Sequence, residues 1–263
     1  MLELITAGGT ISVWGFVLLA VMAFVAGFVD AIAGGGGFIS LPGYLFAGLP
    51  VHAAIATNKL SSSMGTTVAT ITYIRHGYMM WWLVPSVVVL ALAGSALGAS
   101  LSLASDENLI RIFMLLVVPI AAFYVIRAKR LDIERTAFSK PVTLAICSTI
   151  AFVIGIYDGF YGPGTGTFLM LLLPALGHLS LDHAAGITKA INLSTNLAAL
   201  AVFLMGGAVI VSLGLCAGLF NIAGNYLGAR KFTADGAKVV RPVILVVLAL
   251  FTVRLILELL GIM

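Results

Sequence analysis

The chain has 263 residues, of which 61% are hydrophobic and only 9% are charged, and its formal net charge is +4. Soluble domains carry about 25% charged residues, so this composition excludes a soluble globular protein and indicates an integral membrane protein in a lipid bilayer. In such proteins a small excess of Lys and Arg is typical of cytoplasmic loops, and we expect no nucleic-acid partner.

Apolar segments of about 20 residues, the length that spans the hydrocarbon of a bilayer, follow one another along the chain. We predict such spans at 12–33, 53–74, 79–101, 109–127, 141–161, 184–205, 208–229 and 239–260. Two further apolar segments, 38–49 and 167–177, are too short to cross the hydrocarbon at about 1.5 Å per residue. The predicted fold is therefore an all-α polytopic membrane protein with about eight full transmembrane helices and two short broken or re-entrant helices.

A glycine-rich break precedes each short segment, and a single aspartate lies shortly before each break. The first break contains Gly34, Gly35, Gly36 and Gly37 after Asp30, and the second contains Gly162, Gly164 and Gly166 after Asp158. Irregular backbone at membrane depth is tolerated only where it is packed in protein or lines a cavity. Two breaks in matching positions indicate the binding site of a transporter.

The two halves of the chain repeat one pattern. The matched pairs include Gly27 with Gly155, Asp30 with Asp158, Phe38 with Phe168 and Lys59 with Lys189. We therefore predict a single membrane transporter domain over 1–263. It contains a first repeat at 12–127, a polar cytoplasmic linker at 128–140 and a second repeat at 141–260.

The charges of the loops predict how these repeats are oriented. The linker and the loop at 230–241 are rich in Lys and Arg, whereas the loop at 100–110 contains Asp106 and Glu107 and no basic residue. Basic loops stay on the cytoplasmic side. Because 100–110 and 230–241 occupy equivalent positions in the two repeats, their opposite charge predicts inverted repeats, with both chain ends on the non-cytoplasmic face.

Three Gly-x-x-x-Gly pairs lie within the predicted spans. They are Gly94 with Gly98, Gly214 with Gly218, and Gly224 with Gly228. Glycines at this spacing allow two helices to approach closely. We expect them to pack helices within one chain rather than to form a dimer interface, and the sequence leaves open whether the protein is a monomer or a homodimer.

Two lysines within apolar spans carry the main functional hypothesis. Polar side chains follow each lysine at helical spacing, and a lysine beside amides and hydroxyls suits an oxyanion that must lose its water. Backbone amides in the glycine breaks would add further donors. The predicted substrate-binding residues are Lys59, Lys189, Asn58, Ser61, Ser62, Thr188, Asn192, Asn196, Gly34, Gly35, Gly36, Gly37, Gly162, Gly164 and Gly166. The alternative is that each lysine only neutralises a nearby aspartate.

Asp30 and Asp158 allow two interpretations. Each carboxylate could accept backbone N–H bonds and position its break, or it could carry a coupling proton or cation. A pair of aspartates inside a membrane could also form a protease dyad, but a neighbouring lysine would disturb the proton that such a dyad shares. The sequence contains no phosphate-binding glycine motif and no His/Cys cluster. We therefore predict no enzyme activity, no metal and no cofactor.

At these motifs the sequence resembles the TauE/SafE, or sulfite exporter, family of membrane permeases. The resemblance is carried by GFVDAIAGGGG at 27–37, ATNK at 56–59 and YDGFYGPGTG at 157–166, and it extends over nearly the whole chain. It implies a multi-pass protein of the bacterial inner membrane that transports a small sulfur-containing anion, such as sulfite or an organosulfonate.

Two functions from different classes follow as expectations. The first is a secondary transporter of a small anion that works by alternating access, with a coupling proton or cation. The second is a non-transporting membrane scaffold or subunit of a complex, which would not explain why the glycine breaks occur twice.

Overall fold

The computed structural model describes residues 3–6, 9–106, 109–110, 112–113 and 136–235. The predicted span at 239–260, nearly all of the span at 109–127 and most of the linker at 128–140 lie outside the described residues. The division of the chain into repeats at 12–127 and 141–260 therefore stays a prediction.

The described helices follow the order long, short, long, long twice along the chain. They are α1 (Val13–Ala33), α2 (Gly37–Phe46), α3 (Val51–Arg75), α4 (Val84–Ala104), α5 (Lys140–Phe160), α6 (Thr165–Gly177), α7 (Leu181–Met205) and α8 (Val211–Asp235). A short antiparallel hairpin, β1 (Glu3–Thr6) and β2 (Gly9–Ser12), precedes them and was not predicted from the sequence. Ser12 ends the hairpin and caps α1, because its hydroxyl oxygen accepts the N–H of Gly15 at 3.0 Å.

The largest displacements of predicted boundaries are at α4 and at α8, which ends at Asp235 although the span was predicted to end at 229. The apolar pattern predicted a span at 79–101, whereas α4 begins at Val84 and ends at Ala104. Residues 81–83 form a turn instead, and Pro85 lies in the first turn of the helix. Proline is common at that position, because the N–H groups of the first helical turn have no carbonyl partner within the helix and proline loses no hydrogen bond there. Hydropathy alone cannot distinguish an apolar turn from the first turn of a helix.

Five helices in the described part of the chain are long and apolar enough to cross a membrane, namely α1, α4, α5, α7 and α8. Helix α3 is equally long, but it contains Thr, Ser, Asn and Lys side chains along much of its length. Those polar side chains are mostly buried, whereas the exposed side chains of the apolar helices include Val21, Val89 and Leu219. A polar interior with an apolar exterior is the arrangement expected of a multi-pass membrane protein.

Glycines bring the two halves of the chain into close contact. A methyl group on Gly98 of α4 would lie 2.0 Å from the carbonyl oxygen of Ile156 in α5, and one on Gly224 of α8 would lie 2.0 Å from that of Phe24 in α1. The third pair, Gly214 and Gly218 of α8, packs against side chains of α3. The prediction that these glycines pack helices within one chain is confirmed.

The contacts also fix the relative directions of the helices. Near the start of α3, Thr57 Oγ1 accepts the N–H of Ile210, which follows the end of α7, at 3.0 Å. Near the end of α3, Thr70 Oγ1 lies 3.4 Å from the carbonyl oxygen of Lys189, near the start of α7. Helices α3 and α7 therefore run antiparallel to each other.

The pairs α4 with α5 and α8 with α1 run in parallel directions instead. In α4, Gly94 lies against Phe152 of α5, and Gly98 lies one turn further along against Ile156. The contacts between α8 and α1 advance in the same way, from Gly224 against Phe24 to Gly228 against Phe28. Thus α4 runs parallel to α5, and α8 runs parallel to α1.

Candidate anion site at the two helix breaks

The two glycine breaks meet inside the helix bundle, backbone against backbone. A methyl group on Gly166 would lie 2.4 Å from the Cα atom of Gly34, and a methyl group on Gly37 would lie 2.8 Å from the Cα atom of Pro163. Only residues without a side chain permit so close an approach. The two breaks are therefore in direct backbone contact where they cross.

Each break reverses the chain between a long helix and a short one. Gly34 caps α1 in the left-handed conformation, with φ of 71°, and its N–H donates to the carbonyl oxygen of Asp30 at 2.8 Å. Gly164, with φ of 83°, precedes the first residue of α6. The break between Asp158 and Gly164 is also held by Tyr157, whose hydroxyl donates to the carbonyl oxygen of Pro163.

A small polar cavity lies at this crossing, with a volume of about 30 Å³. It is lined by Asp30, Gly34, Gly37, Asn58, Lys59, Ser62, Asp158, Gly162, Thr165, Gly166, Asn192 and Asn196. That volume holds about one or two water molecules. Because Gly37, Thr165 and Gly166 belong to the first turns of α2 and α6, the positive ends of two helix dipoles lie at the cavity.

Among the described residues, two ion pairs cross between the halves of the chain. Lys59 Nζ in α3 lies 2.7 Å from Asp158 Oδ2 at the end of α5, with side-chain exposures of 3% and 5%. Lys189 Nζ in α7 lies 2.9 Å from Asp30 Oδ2 at the end of α1, with exposures of 2% and 18%. Each lysine therefore pairs with the aspartate of the other half.

These pairs leave the described site with no net charge, since it contains two lysines and two aspartates. Removing one partner of such a pair would leave a buried charge without compensation, which costs about 3–5 kcal/mol. Because each carboxylate has a lysine as its ion-pair partner, the geometry differs from a protease dyad, in which two carboxyl groups share a proton.

The two pairs have different second partners. Asp158 Oδ1 lies 2.6 Å from the hydroxyl oxygen of Thr165, whereas Lys189 Nζ also donates to the backbone carbonyl oxygen of Asp30 at 2.5 Å. Thr165 was not among the residues predicted from the sequence. The sequence could have indicated Thr165, because this residue lies within the second break, seven residues after Asp158.

The structure brings most of the predicted site residues together at the cavity. Those that line it are Lys59, Asn58, Ser62, Asn192, Asn196, Gly34, Gly37, Gly162, Gly166, Asp30 and Asp158. The predicted residues that do not line it are Lys189, Ser61, Thr188, Gly35, Gly36 and Gly164.

Four of the residues outside the cavity wall have other neighbours. Lys189 bonds Asp30, and the hydroxyl oxygen of Ser61 accepts a hydrogen bond from Tyr44 at 2.8 Å. Gly36 packs against α1 and Gly164 against the ring of Phe38. These contacts fit roles in holding the breaks in place.

The amide of Asn192 at the cavity differs from most buried polar groups, because its oxygen lacks a hydrogen-bond partner among the described residues. Asn192 is only 4% exposed, it lines the cavity, and its Oδ1 has no hydrogen-bond partner among the described residues. Most buried polar atoms are paired. The unbonded Oδ1 is an acceptor, whereas the Nδ2 group of the same amide lies beside Gly166 and is the donor that an oxyanion requires.

The comparisons with known proteins agree on the class of protein. Residues 19–255 match the family described as sulfite exporter TauE/SafE. The chain is 35% identical over 238 residues to a probable membrane transporter protein of Sinorhizobium sp, covering 90% of each chain. No solved structure matches this chain.

Relatives with the same description occur in other bacteria. A probable membrane transporter protein of Haemophilus influenzae is 31% identical over 246 residues, with 92% of this chain and 96% of that one covered. A probable membrane transporter protein of Escherichia coli is 32% identical over 244 residues, with coverage of 90% and 89%.

Proposed function

This chain belongs to the sulfite exporter TauE/SafE family, and from that premise we propose that it is a secondary transporter of a small anion. The proposed passenger is a sulfur-containing oxyanion or an organosulfonate, such as sulfite, carried across the bacterial inner membrane by alternating access. Membrane transport itself follows from the family; the passenger and the mechanism are the proposal.

The cavity at the helix breaks is the observation that carries this proposal. It combines the ammonium group of Lys59, the amides of Asn58, Asn192 and Asn196, and the first turns of α2 and α6. Ammonium groups, amide N–H groups and helix N-termini all favour an oxyanion that has lost its water. Transporters built from broken helices place anionic substrates at such helix ends.

We further propose that the two halves are inverted repeats. Helices α3 and α7, which carry the matched residues Lys59 and Lys189, run antiparallel. The contact of Gly94 with Phe152 has its counterpart in that of Gly224 with Phe24, with the halves exchanged. An inverted pair of this kind can open alternately to either side of a membrane around one central site.

The size of the cavity indicates that the proposed site must open before a passenger can bind, and it fits a small passenger better than a large one. About 30 Å³ is room for a water molecule or two, so an oxyanion enters only when side chains at the crossing move apart. The ion pair of Lys59 with Asp158 is among the groups that fill this space. We propose that its rearrangement is part of the opening.

Anion flux into liposomes tests the proposal. The pure protein should accelerate entry of sulfite or methanesulfonate into liposomes over protein-free vesicles, and acetate serves as a carboxylate for comparison. Flux of acetate but of neither sulfur compound would move the passenger to another class of anion. A properly reconstituted protein that moves none of them would favour the scaffold function instead.

Asn192→Leu should weaken anion binding without weakening the fold. The donor available to an oxyanion is the Nδ2 group of Asn192, which lies beside Gly166 at the cavity. The Oδ1 atom has no partner among the described residues, so the substitution removes that donor and breaks no hydrogen bond of Oδ1. One hydrogen bond of about 1.4 kcal/mol corresponds to a tenfold rise in Kd, measured for methanesulfonate by calorimetry alongside the thermal midpoint in detergent. Ser194→Ala is the control, because Ser194 donates to Ala190 within its own helix. Unchanged affinity in Asn192→Leu would remove this amide from the site.

A further inference from the structure

The hydroxyl group of Thr165 lies within hydrogen-bond distance of two acceptors. Its Oγ1 is 2.6 Å from Asp158 Oδ1 and 2.6 Å from the carbonyl oxygen of Gly162. A hydroxyl group has one hydrogen, although its oxygen can also accept. When Asp158 is ionised, that hydrogen serves only one of the two oxygens fully. When Asp158 carries a proton on Oδ1, it donates to Thr165, and Thr165 donates to Gly162.

The other carboxylate oxygen of Asp158 bonds Lys59 at 2.7 Å. Asp158 therefore has suitable partners in both of its protonation states. The ionised carboxylate accepts hydrogen bonds from Lys59 and from Thr165. The neutral acid donates its own hydrogen to the hydroxyl oxygen of Thr165. All of these residues line the cavity, so a change in the charge of Asp158 acts directly on the space that an anion would occupy.

We propose that Asp158 is the proton-coupling residue of the transporter and that Lys59 is the anion-binding residue that its protonation releases. This inference rests on the proposed function and names the coupling ion. A hydronium ion transfers its proton to Asp158 Oδ1 and leaves as water, Thr165 turns its hydrogen toward Gly162, and Lys59 loses its counter-charge. The described site then has a net charge of about +1, which a monovalent anion neutralises.

The ion pair of Lys189 with Asp30 lacks the groups that this proton-dependent rearrangement requires. When Phe38 is aligned with Phe168, the counterpart of Thr165 is Gly35, which has no hydroxyl group. Lys189 does not line the cavity, and its ammonium group is held by two oxygens of Asp30. We therefore assign a positioning role to Lys189 and Asp30, which join α7 to the end of α1.

Several charged and titratable groups surround Asp158. Among the described residues, Lys59 faces Asp158 from α3 and Asp30 lies across the cavity on α1. Tyr157 and Tyr161 lie beside it on and just after α5, and Lys189 is paired with Asp30. An anion at Lys59 competes with the Asp158 carboxylate for the same ammonium group, which is why the proposal links the binding of the anion to that of the proton.

The sign of the pH dependence follows. Binding of one proton with each anion makes the affinity rise by up to about tenfold for each unit by which the pH falls. Methanesulfonate is a suitable probe, because it stays a monoanion between about pH 5 and 8, so that any dependence belongs to the protein.

Calorimetric titration in buffers of different ionisation enthalpy counts the protons taken up. Wild-type protein should take up close to one proton for each methanesulfonate bound, and Asp158→Asn should bind methanesulfonate with no uptake and with a pH-independent Kd. Thr165→Val should weaken binding about tenfold, whereas Thr165→Ser should retain wild-type binding. Asp182→Asn is the matched control, since Asp182 is exposed at the start of α7.

Each other outcome has a distinct meaning. Binding by the wild-type protein without proton uptake would overturn the inference and leave the proposed function standing. Loss of uptake in Asp30→Asn, but not in Asp158→Asn, would assign the proton to the other pair and likewise overturn it. Absence of methanesulfonate and sulfite binding at every pH would refute the proposed function itself. If Asp158→Asn does not fold, the proton count of the wild-type protein and the contrast between Thr165→Val and Thr165→Ser still decide the matter.

Discussion

Lys59→Met is expected to lower the stability of the protein by about 3 kcal/mol and to abolish anion flux. The substitution leaves the carboxylate of Asp158, only 5% exposed, with Thr165 as a donor but without its ion-pair partner. Combining Lys59→Met with Asp158→Asn removes both charges, and the amide still offers Thr165 an acceptor. We expect the double variant to recover most of the thermal midpoint in detergent and none of the flux.

The double variant distinguishes two roles of Lys59, neutralising Asp158 and binding the anion, which the single substitution removes together. If Lys59 served only to neutralise Asp158, flux would return together with stability. A flux above that of the single variant would therefore contradict the role of Lys59 in binding the anion. Arg75→Met is the matched control, because it removes the same charge at an exposed position at the end of α3. Exposed charges contribute little to stability, and this variant should resemble the wild type in both measurements.

Most of the helices could be predicted from the sequence because hydrocarbon length imposes a simple rule. Apolar runs of about 20 residues must be helical to satisfy their backbone groups, and the observed bounds of α1 and α5 differ from the prediction by one residue at most. The rule says nothing where apolar residues form a turn, so it misplaced the start of α4. It also gives no information on the hairpin, which lies outside the apolar segments.

The site could be predicted as a set of residues but not as a set of partners. The glycine breaks and the lysines identified the elements that meet at the cavity, since charge and bare backbone at membrane depth require a reason. Which aspartate pairs with Lys59 depends on how the two halves interleave. The observed partner, Asp158, lies 99 residues away in the sequence, and no local pattern encodes that contact. The same holds for Thr165, whose role depends on Asp158 and Gly162 together.

Gly166→Ala should be among the most damaging single-atom additions in this chain, because the new methyl group meets the backbone of Gly34, which cannot move aside as the end of a flexible side chain can. It would lie 2.4 Å from the Cα atom of Gly34 and 2.7 Å from Nδ2 of Asn192. Separating the two breaks would also separate α1 and α2 from α6. We expect a loss of about 3 kcal/mol or more, seen as a lower thermal midpoint and as a reduced yield of monodisperse protein.

The control for this substitution tests whether the crossing of the breaks, and not glycine itself, is what the fold requires. Gly77 follows α3, and a methyl group there would have no neighbour within 4 Å, although its φ of 77° is unfavourable for alanine. Gly77→Ala should therefore cost only the backbone term of about 1–2 kcal/mol. Since Gly166 has no positive φ, its loss must come from the contact with Gly34 and Asn192. Equal thermal midpoints for the two variants would show that the breaks can separate freely, and the cavity would then owe its shape to the ion pairs alone.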